Sequence, residues 1–285
     1  MPNKKAAAIG GLVAVIIFVC SYYLALSAYQ SESEDQVTLF VAGDTNKSDR
    51  VDMVANIVSL DPQKEEAKIR LSFYPEGKLS DDGLSCIYDL KLIAPEAARS
   101  DSSRVFSRGV PISAVELSYV MVGQVNDYPF DEHSIQLIFA LNRTNPDLIV
   151  PSAVLFRGSV PGFKISLEPL SEHLSDLPDG VNAMKMTVTR SWTVRGAAMA
   201  GIVVMWAIGI GVFALIVLMF SGWYNVRMPA LFAALLFGLF SFRNSLPGTP
   251  PIGTYSDFIA FLWVQGIVAL ALLVAIIATL KNRPT

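Results

Sequence analysis

Four long apolar segments constrain the fold of this chain more than any other feature of its sequence. None of them contains a charged residue: Ala6 to Ser31, Gly196 to Val226, Met228 to Phe242 and Phe258 to Leu280. About 20 apolar residues, rising ~1.5 Å each, cross the ~30 Å hydrocarbon core of a bilayer. The pattern therefore predicts a multi-pass membrane protein, whose partners include the lipid bilayer, with one helix before a polar middle region and three helices after it.

The third segment is the shortest of the four. Its uncharged run from Met228 to Phe242 covers only roughly 22 Å at the rise of an α-helix. We expect the flanking Arg227 and Arg243 to extend along the helix to the two interfaces, or the bilayer to thin locally around them.

The distribution of charge predicts the orientation of these segments. Residues 29–195 contain 24 acidic and 16 basic residues, whereas the rest of the chain contains one acid and six bases. Five of those bases flank the spans on one side: Lys4, Lys5, Arg227, Lys281 and Arg283. Basic residues concentrate on the cytoplasmic side of a membrane. We therefore predict a plasma-membrane protein with both termini in the cytoplasm and residues 32–191 outside it.

These observations divide the chain into three predicted parts. Residues 1–31 form an amino-terminal anchor, residues 32–191 an extracytoplasmic domain, and residues 192–285 a three-helix membrane region. A cleaved signal peptide is the alternative for the first part, because it has a basic start and ends in Leu26-Ser27-Ala28. Its apolar run is longer than such peptides have and Leu26 is bulky at the cleavage site, which favours a retained anchor.

The polar region has the pattern of an antiparallel β-structure. Nine short segments rich in Val, Ile, Phe and Thr alternate with turn residues, and they begin at residues 37, 54, 67, 87, 110, 134, 154, 163 and 185. Residues 61–66 would join two of them as a hairpin. The predicted fold class is α+β: an extracytoplasmic antiparallel β-sandwich plus a four-helix transmembrane bundle. Two cysteines, Cys20 and Cys86, predict no internal disulfide.

Sequence motifs for catalysis and for metal, cofactor or nucleic-acid binding are missing from this region. The chain has only two histidines, His133 and His173, and they have no metal-site spacing. We expect His133, beside Asp131 and Glu132, to be an exposed turn residue. The sequence thus predicts no catalytic residue, no cofactor, no metal and no nucleic-acid partner, and we expect the protein not to be an enzyme.

Small residues recur at four-residue intervals in two of the predicted spans. They are Ala207 and Gly211 in the second span and Ala230, Ala234 and Gly238 in the third. Such faces allow helix backbones to approach closely. We expect these residues to pack in the helix bundle, with the third helix at its centre.

The connection between the third and fourth spans, "FSFRNSLPGTPPIGTYSDFIAF", contains the one polar cluster of the membrane region. Pro247, Pro250 and Pro251 predict a tight external crossing, and Asp257 is placed to cap the next helix. Arg243 and Asp257 flank this crossing and could form an ion pair. Ionisable residues near a membrane are candidates for function, although an interfacial position would also explain both.

A second unusual stretch is the run Asp127-Tyr-Pro-Phe-Asp-Glu-His133 before an alternating strand. Pro129 fixes its own φ and favours an extended Tyr128, which predicts a corner. Asp131 can accept backbone N–H bonds there, between the aromatic rings of Tyr128 and Phe130. We hypothesise that residues 127–133 contact residues 244–256 and couple the sandwich to the helices. The structural and coupling candidates are Tyr128, Pro129, Phe130, Asp131, Arg243, Pro247, Pro250, Pro251 and Asp257.

Four features of the chain together carry a family resemblance: the anchor, the β-rich domain with Asp-Tyr-Pro-Phe-Asp-x-His, the three closing spans and the motif Arg-Asn-x-Leu-Pro-Gly-x-Pro-Pro-Ile-Gly. In these features the chain resembles an uncharacterised membrane-protein family, domain of unknown function 4436. The resemblance covers nearly the whole chain and implies no activity. The corner Tyr128 to Asp131, with Leu246, Pro247 and Asp257, more distantly resembles pentameric ligand-gated ion channels. A resemblance to those channels implies cysteines on either side of the corner and rings of polar side chains along the pore helix, and this sequence has neither.

Three function classes follow from these features. The first is a non-enzymatic envelope protein whose external domain binds or scaffolds a protein, a lipid or a glycan, with a membrane or envelope protein as partner. The second is a channel-like sensor, which requires a homo-oligomer. The third is an enzyme acting on an envelope substrate, although no nucleophile, base and stabiliser can be assembled from the motifs above.

Overall fold

The computed structural model describes residues 40–98, 102–170, 178, 180–222 and 225–281, together with scattered positions between 16 and 30. The predicted first span, with its signal-peptide alternative, therefore lies largely outside the described residues. His173 lies outside them as well.

Twelve strands are present in the described residues, and ten of them form the main paths of two sheets. The first sheet has the order β1-β10-β2-β3-β6, and the second has the order β11-β12-β8-β4-β5, with β7 and β9 also paired to β8. The bounds are β1 Phe40–Gly43, β2 Val51–Asp61, β3 Glu66–Pro75, β4 Leu90–Ile93, β5 Ser103–Phe106, β6 Val115–Val120, β7 Val122–Gly123, β8 Glu132–Thr144, β9 Asp147–Val150, β10 Ser152–Arg157, β11 Phe163–Pro169 and β12 Asn182–Arg190.

Alternating burial explains why these segments form sheets with one face in a core. Along β8, Ile135, Leu137, Phe139 and Leu141 are all almost completely buried, which is the face that alternation predicts. Residues 61–66 form the turn of the predicted hairpin, since Asp61 pairs with Glu66 in the β2–β3 ladder.

Aromatic contacts join the two sheets across a sandwich-like core. The rings of Phe139 on β8 and Phe156 on β10 lie 6.2 Å apart between centroids, and those of Phe73 on β3 and Phe106 on β5 lie 5.2 Å apart. Phe156 is completely buried. Side chains that interdigitate from two inner faces are typical of a β-sandwich.

The sheets differ from the predicted arrangement in two respects. First, β2 and β10 are parallel, so the region is not purely antiparallel. Second, β5 and β9 were not predicted, because three of the four residues in β5 and two of the four in β9 are exposed and give little apolar alternation. Pairing of strands some 100 residues apart depends on the path of the chain, which local patterning does not report.

Both cysteines are free thiols among the described residues. Cys86 is buried, and this burial raises the pKa of its thiol. A neutral thiol in an apolar environment is a weak nucleophile.

Three helices follow the sheets: α1 Trp192–Phe220, α2 Met228–Asn244 and α3 Leu262–Lys281. A helical turn, Asp257–Phe261, leads directly into α3. Two of the helices, Trp192–Phe220 and Asp257–Lys281, are long and apolar enough to cross a membrane, whereas α2 is a shorter apolar helix of 17 residues.

The small residues that make close helix contacts are not the predicted ones. Those predicted to pack are exposed in the described chain: Ala207, Gly211, Ala230, Ala234 and Gly238. Gly209 takes that role, since an added Cβ would lie 3.1 Å from Val264 on α3, and Gly201 packs as closely on Leu246 just after α2, where the distance would be 2.7 Å. The prediction was wrong because four-residue spacing shows which residues share a face, not which face meets a neighbour.

The chain forms two compact units. Among the described residues, the first unit contains 40–61, 66–120 and 135–193, and therefore most of both sheets. The second contains the helices from Val194 onward together with two short segments from between strands, Pro62–Glu65 and Met121–Ser134. The predicted corner is thus part of the same unit as the helices.

Candidate functional site

The candidate site lies in the second unit and is built around the crossing loop, residues 245–256, which connects α2 to the helical turn before α3. Three prolines remove backbone N–H donors from this loop. Gly248 and Gly253 have φ values of 76° and 96°, and Thr249 has a φ of 39°, a left-handed conformation that is uncommon for a residue other than glycine. A loop with few donors and tight turns exposes its carbonyl oxygens to other groups.

A buried ion pair closes the two ends of this loop. Arg243 Nε donates to Asp257 Oδ1 at 2.7 Å, and Arg243 Nη2 donates to Asp257 Oδ2 at 2.6 Å. Only 2% of Arg243 and 1% of Asp257 is exposed. Such a bidentate geometry is the strongest form of arginine–carboxylate contact, and burial makes each partner depend on the other.

The same guanidinium group also binds the loop itself. Its Nη1 donates to the carbonyl of Pro250 at 2.8 Å, and its Nη2 donates to the carbonyl of Pro251 at 2.6 Å. The expectation that Arg243 would extend to an interface is therefore wrong, because its charged end turns into the protein. There the guanidinium group donates hydrogen bonds to the carbonyls of Pro250 and Pro251 and to the Asp257 carboxylate.

Asp257 also organises the loop from its other side. Its Oδ2 accepts the N–H of Gly253 at 2.8 Å and the N–H of Thr254 at 3.2 Å. Asp257 is not the N-cap that the sequence predicted, because helical backbone already begins at Tyr255. Its carboxylate binds the loop that precedes the helix rather than the first turn of the helix.

The helical turn Asp257–Phe261 is a π-helical turn, a rare form that is frequently found at functional sites. Two tryptophan side chains donate to carbonyls within it. Trp206 Nε1, on α1, donates to Ile259 O at 3.0 Å, and Trp263 Nε1 donates to Phe258 O at 2.8 Å. The wider turn thus makes the carbonyl of Ile259 a contact point between α1 and the start of α3.

The corner contacts the crossing loop through Tyr128. This side chain is completely buried, and its hydroxyl donates to the carbonyl of Pro247 at 2.7 Å. The Tyr128–Pro129 peptide bond is cis, Pro129 is buried and Phe130 is half-exposed. The structure therefore contains a contact between residues 127–133 and residues 244–256, as the coupling hypothesis requires.

A second contact with the crossing loop was missed at the sequence level. Gln63, at the tip of the β2–β3 hairpin, donates through Nε2 to the carbonyl of Thr249 at 2.7 Å. The same tip is tied to the segment before the corner, since Met121 N–H donates to Glu65 O at 2.8 Å. A glutamine in a polar turn carries no pattern that would indicate this partner.

His133 differs from its prediction. His133 is only 2% exposed and Asp131 is fully buried, and His133 Nε2 lies 3.0 Å from Asp131 Oδ2. The expectation of an exposed turn histidine was wrong because β8 begins at Glu132 and turns the His133 side chain inward. Gly123 on β7 leaves room for this ring, since an added Cβ would lie 2.4 Å from His133 Nδ1.

Six of the nine predicted structural and coupling residues therefore form two hydrogen-bonded groups. One comprises Arg243, Asp257, Pro250 and Pro251, and the other comprises Tyr128 with Pro247. In the part of the chain that the structure describes, no group of three or more His, Cys, Asp or Glu side chains is close enough to hold a metal ion.

Fold and site together define a β-sandwich-like sheet region followed by helices, two of which are apolar enough to cross a membrane. A family described as "Domain of unknown function (DUF4436)" matches residues 41–183, which is half of the chain, and the chain belongs to this family. A second description, "Domain of unknown function (DUF8686)", matches residues 190–282. No curated protein matches the chain.

These matches confirm the resemblance to the first family and refine its extent. The first match extends from β1 to the start of β12, includes the corner, and ends before the helices. The crossing loop, whose motif contributed to that resemblance, lies in the residues matched by the second family.

Proposed function

We propose that the protein is a non-enzymatic, multi-pass membrane protein of the cell envelope. In this proposal its extracytoplasmic sheet region binds or scaffolds a partner protein, and the corner couples that region to the helices. The contact of Tyr128 with Pro247 is the observation that carries the coupling role.

Helix length and the positions of basic residues support the membrane embedding. At ~1.5 Å per residue, Trp192–Phe220 covers roughly 43 Å and Asp257–Lys281 roughly 37 Å, and both exceed the ~30 Å hydrocarbon core. Arg227 follows the first of these helices and Lys281 ends the second. In this proposal both bases are cytoplasmic and the crossing loop is on the opposite side of the membrane.

The contacts of the crossing loop support the coupling role. Its carbonyls at residues 247, 249, 250 and 251 accept bonds from the corner, the hairpin tip and the end of α2. Its N–H groups at 253 and 254 are bound to Asp257, where the π-helical turn before α3 begins. A displacement of the corner, which continues directly into β8, would therefore be transmitted to both helix ends.

Cysteine crosslinking tests this contact. In a background with Cys20→Ser and Cys86→Ala, Phe130→Cys is combined in turn with Gly248→Cys, Thr249→Cys or Ile252→Cys. We expect an intramolecular disulfide in membranes under oxidising conditions for at least one pair, because Tyr128 already reaches Pro247.

The matched control combines Phe130→Cys with Asn225→Cys. Asn225 precedes α2, and the 17 residues of that helix separate it from the crossing loop by roughly 25 Å. The control pair should not crosslink. Failure of all three test pairs, or equal crosslinking of the control, would contradict the coupling contact.

A channel-like sensor is the second candidate, and the hydrogen bond between the corner and the crossing loop favours it. This function requires a symmetric homo-oligomer and ion flux through reconstituted vesicles. We expect the purified protein to show neither, because the exposed residues within α2 before its last residue, Asn244, are apolar or small and form no polar rings. Mass measurement in mild detergent and a vesicle flux assay decide between the two, and conduction by a symmetric oligomer would replace the first proposal.

A further inference from the structure

The outer face of the first sheet contains a groove of about 400 Å³. Strand register explains its shape. One row of side chains crosses four strands through Gly43, Ala153, Asp52 and Tyr74. The next row crosses through Val41, Leu155 and Val54. The small side chain of Ala153 and the half-exposed ring of Tyr74 both line the groove.

The guanidinium group of Arg50, at the rim of this groove, already donates hydrogen bonds to other groups of the protein. Arg50 donates through Nε and Nη2 to both carboxylate oxygens of Asp52, and through Nη1 to the carbonyls of Thr45 and Lys47. The hydrogen bond to Asp52 raises the pKa of Arg50, so this pair stays charged. The guanidinium group therefore has little capacity left for an anionic ligand.

The hydrogen-bond acceptors of the groove, by contrast, include one carboxylate that accepts no hydrogen bond from a described residue. Glu76 has extended backbone, with φ −119° and ψ 159°, so its side chain lies on the same face as that of Tyr74 two residues earlier. The Glu76 carboxylate is exposed and, among the described residues, makes no hydrogen bond or ion pair, although its charge helps to raise the pKa of Arg50. Because Asp52 neutralises Arg50, the groove carries one net negative charge, at Glu76.

We propose that this groove binds a lysine or arginine side chain presented by a partner protein. The methylene stem of that side chain lies on Val54 and Leu155, and its charged end lies between the Tyr74 ring and the Glu76 carboxylate. Long cationic side chains combine these two needs, since their stems are apolar and their heads interact with aromatic faces and carboxylates. The acidic excess of residues 29–195 favours the same partner. This inference rests on the proposed partner-binding role of the sheet region and specifies the chemistry of the partner.

The test uses the full chain in detergent and two peptides that differ only in charge. One is acetyl-Ala-Ala-Arg-Ala-Ala-amide, and the other has citrulline in place of arginine. We expect the arginine peptide to bind at least tenfold more tightly by calorimetry. Glu76→Gln and Tyr74→Ala should each weaken its binding by about tenfold, because the first removes a charge-assisted hydrogen bond and the second removes the aromatic face that contacts the cation.

The matched control is Glu168→Gln, which removes one exposed negative charge from β11 in the other sheet and should leave binding unchanged. Equal binding of both peptides, equal loss in Glu168→Gln, or no binding at millimolar peptide would overturn the proposal. A neutral hexose that binds with the same dependence on Glu76 would assign the groove to a glycan instead, and would also overturn it. Phe130 crosslinking does not involve this groove, so a positive crosslink without peptide binding would reject the groove alone.

Discussion

Arg243→Met is expected to lower the free energy of unfolding of the helical unit by about 3–5 kcal/mol, because it leaves a buried charge without its partner. Asp257 is 1% exposed, and its carboxylate would keep only the bonds from Gly253 and Thr254. The carbonyls of Pro250 and Pro251 would lose a donor at the same time. Chemical denaturation in detergent, followed by tryptophan fluorescence, measures the change, since Trp206 and Trp263 both lie in this unit.

A double-mutant cycle separates the ion pair from its other contacts. Asp257→Asn removes the charge but keeps an oxygen for the N–H groups of Gly253 and Thr254. We expect Asp257→Asn alone to be strongly destabilising, and the combination Arg243→Met with Asp257→Asn to cost clearly less than the sum of the two single changes. Strict additivity would contradict a direct pair.

Arg227→Met is the matched control for this prediction. Arg227 is exposed at the other end of α2, and its side chain has no hydrogen bond or ion pair among the described residues. Its replacement should change stability by no more than about 0.5 kcal/mol. A similar effect of both arginine replacements would show that loss of positive charge, rather than loss of the pair, controls stability.

Tyr128→Ala is the second large prediction, with an expected loss of about 3–5 kcal/mol from the cavity that removal of a fully buried ring leaves. Tyr128→Phe keeps the ring and removes only the donor to Pro247, so we expect a loss of about 1 kcal/mol. Both variants should also increase hydrogen exchange of the amides in the crossing loop, which a defect confined to the corner would not do.

Two neighbouring residues provide controls for Tyr128. Phe130 is half-exposed, and Phe130→Ala should cost much less than Tyr128→Ala. Tyr255→Phe removes a hydroxyl from a half-exposed tyrosine at the end of the crossing loop and should not change stability measurably. If Tyr128→Phe and Tyr255→Phe leave the exchange of the crossing loop equally unchanged, the hydrogen bond to Pro247 does not couple the two segments.

Local patterning in the sequence was sufficient for several parts of this structure. The alternation of apolar and polar residues predicted the buried face of β8, and the turn residues predicted the β2–β3 hairpin. The uncharged runs predicted the two long apolar helices. Arg243 and Asp257 could be proposed as a pair because they are the charged residues on either side of the crossing. Each of these inferences depends on residues that are close in sequence or that share one period.

Tertiary structure decided the features that depend on residues far apart in the chain. It made β2 and β10 parallel, buried His133, and chose Gly201 and Gly209 rather than Ala230 and Gly238 for close packing. It also brought Gln63 to Thr249 across 186 positions and aligned Gly43, Ala153, Asp52 and Tyr74 into one row. Sequence therefore determined which residues seek burial or a charged partner. Only the folded chain decided which partner each one meets, because that choice depends on the path of the backbone between them.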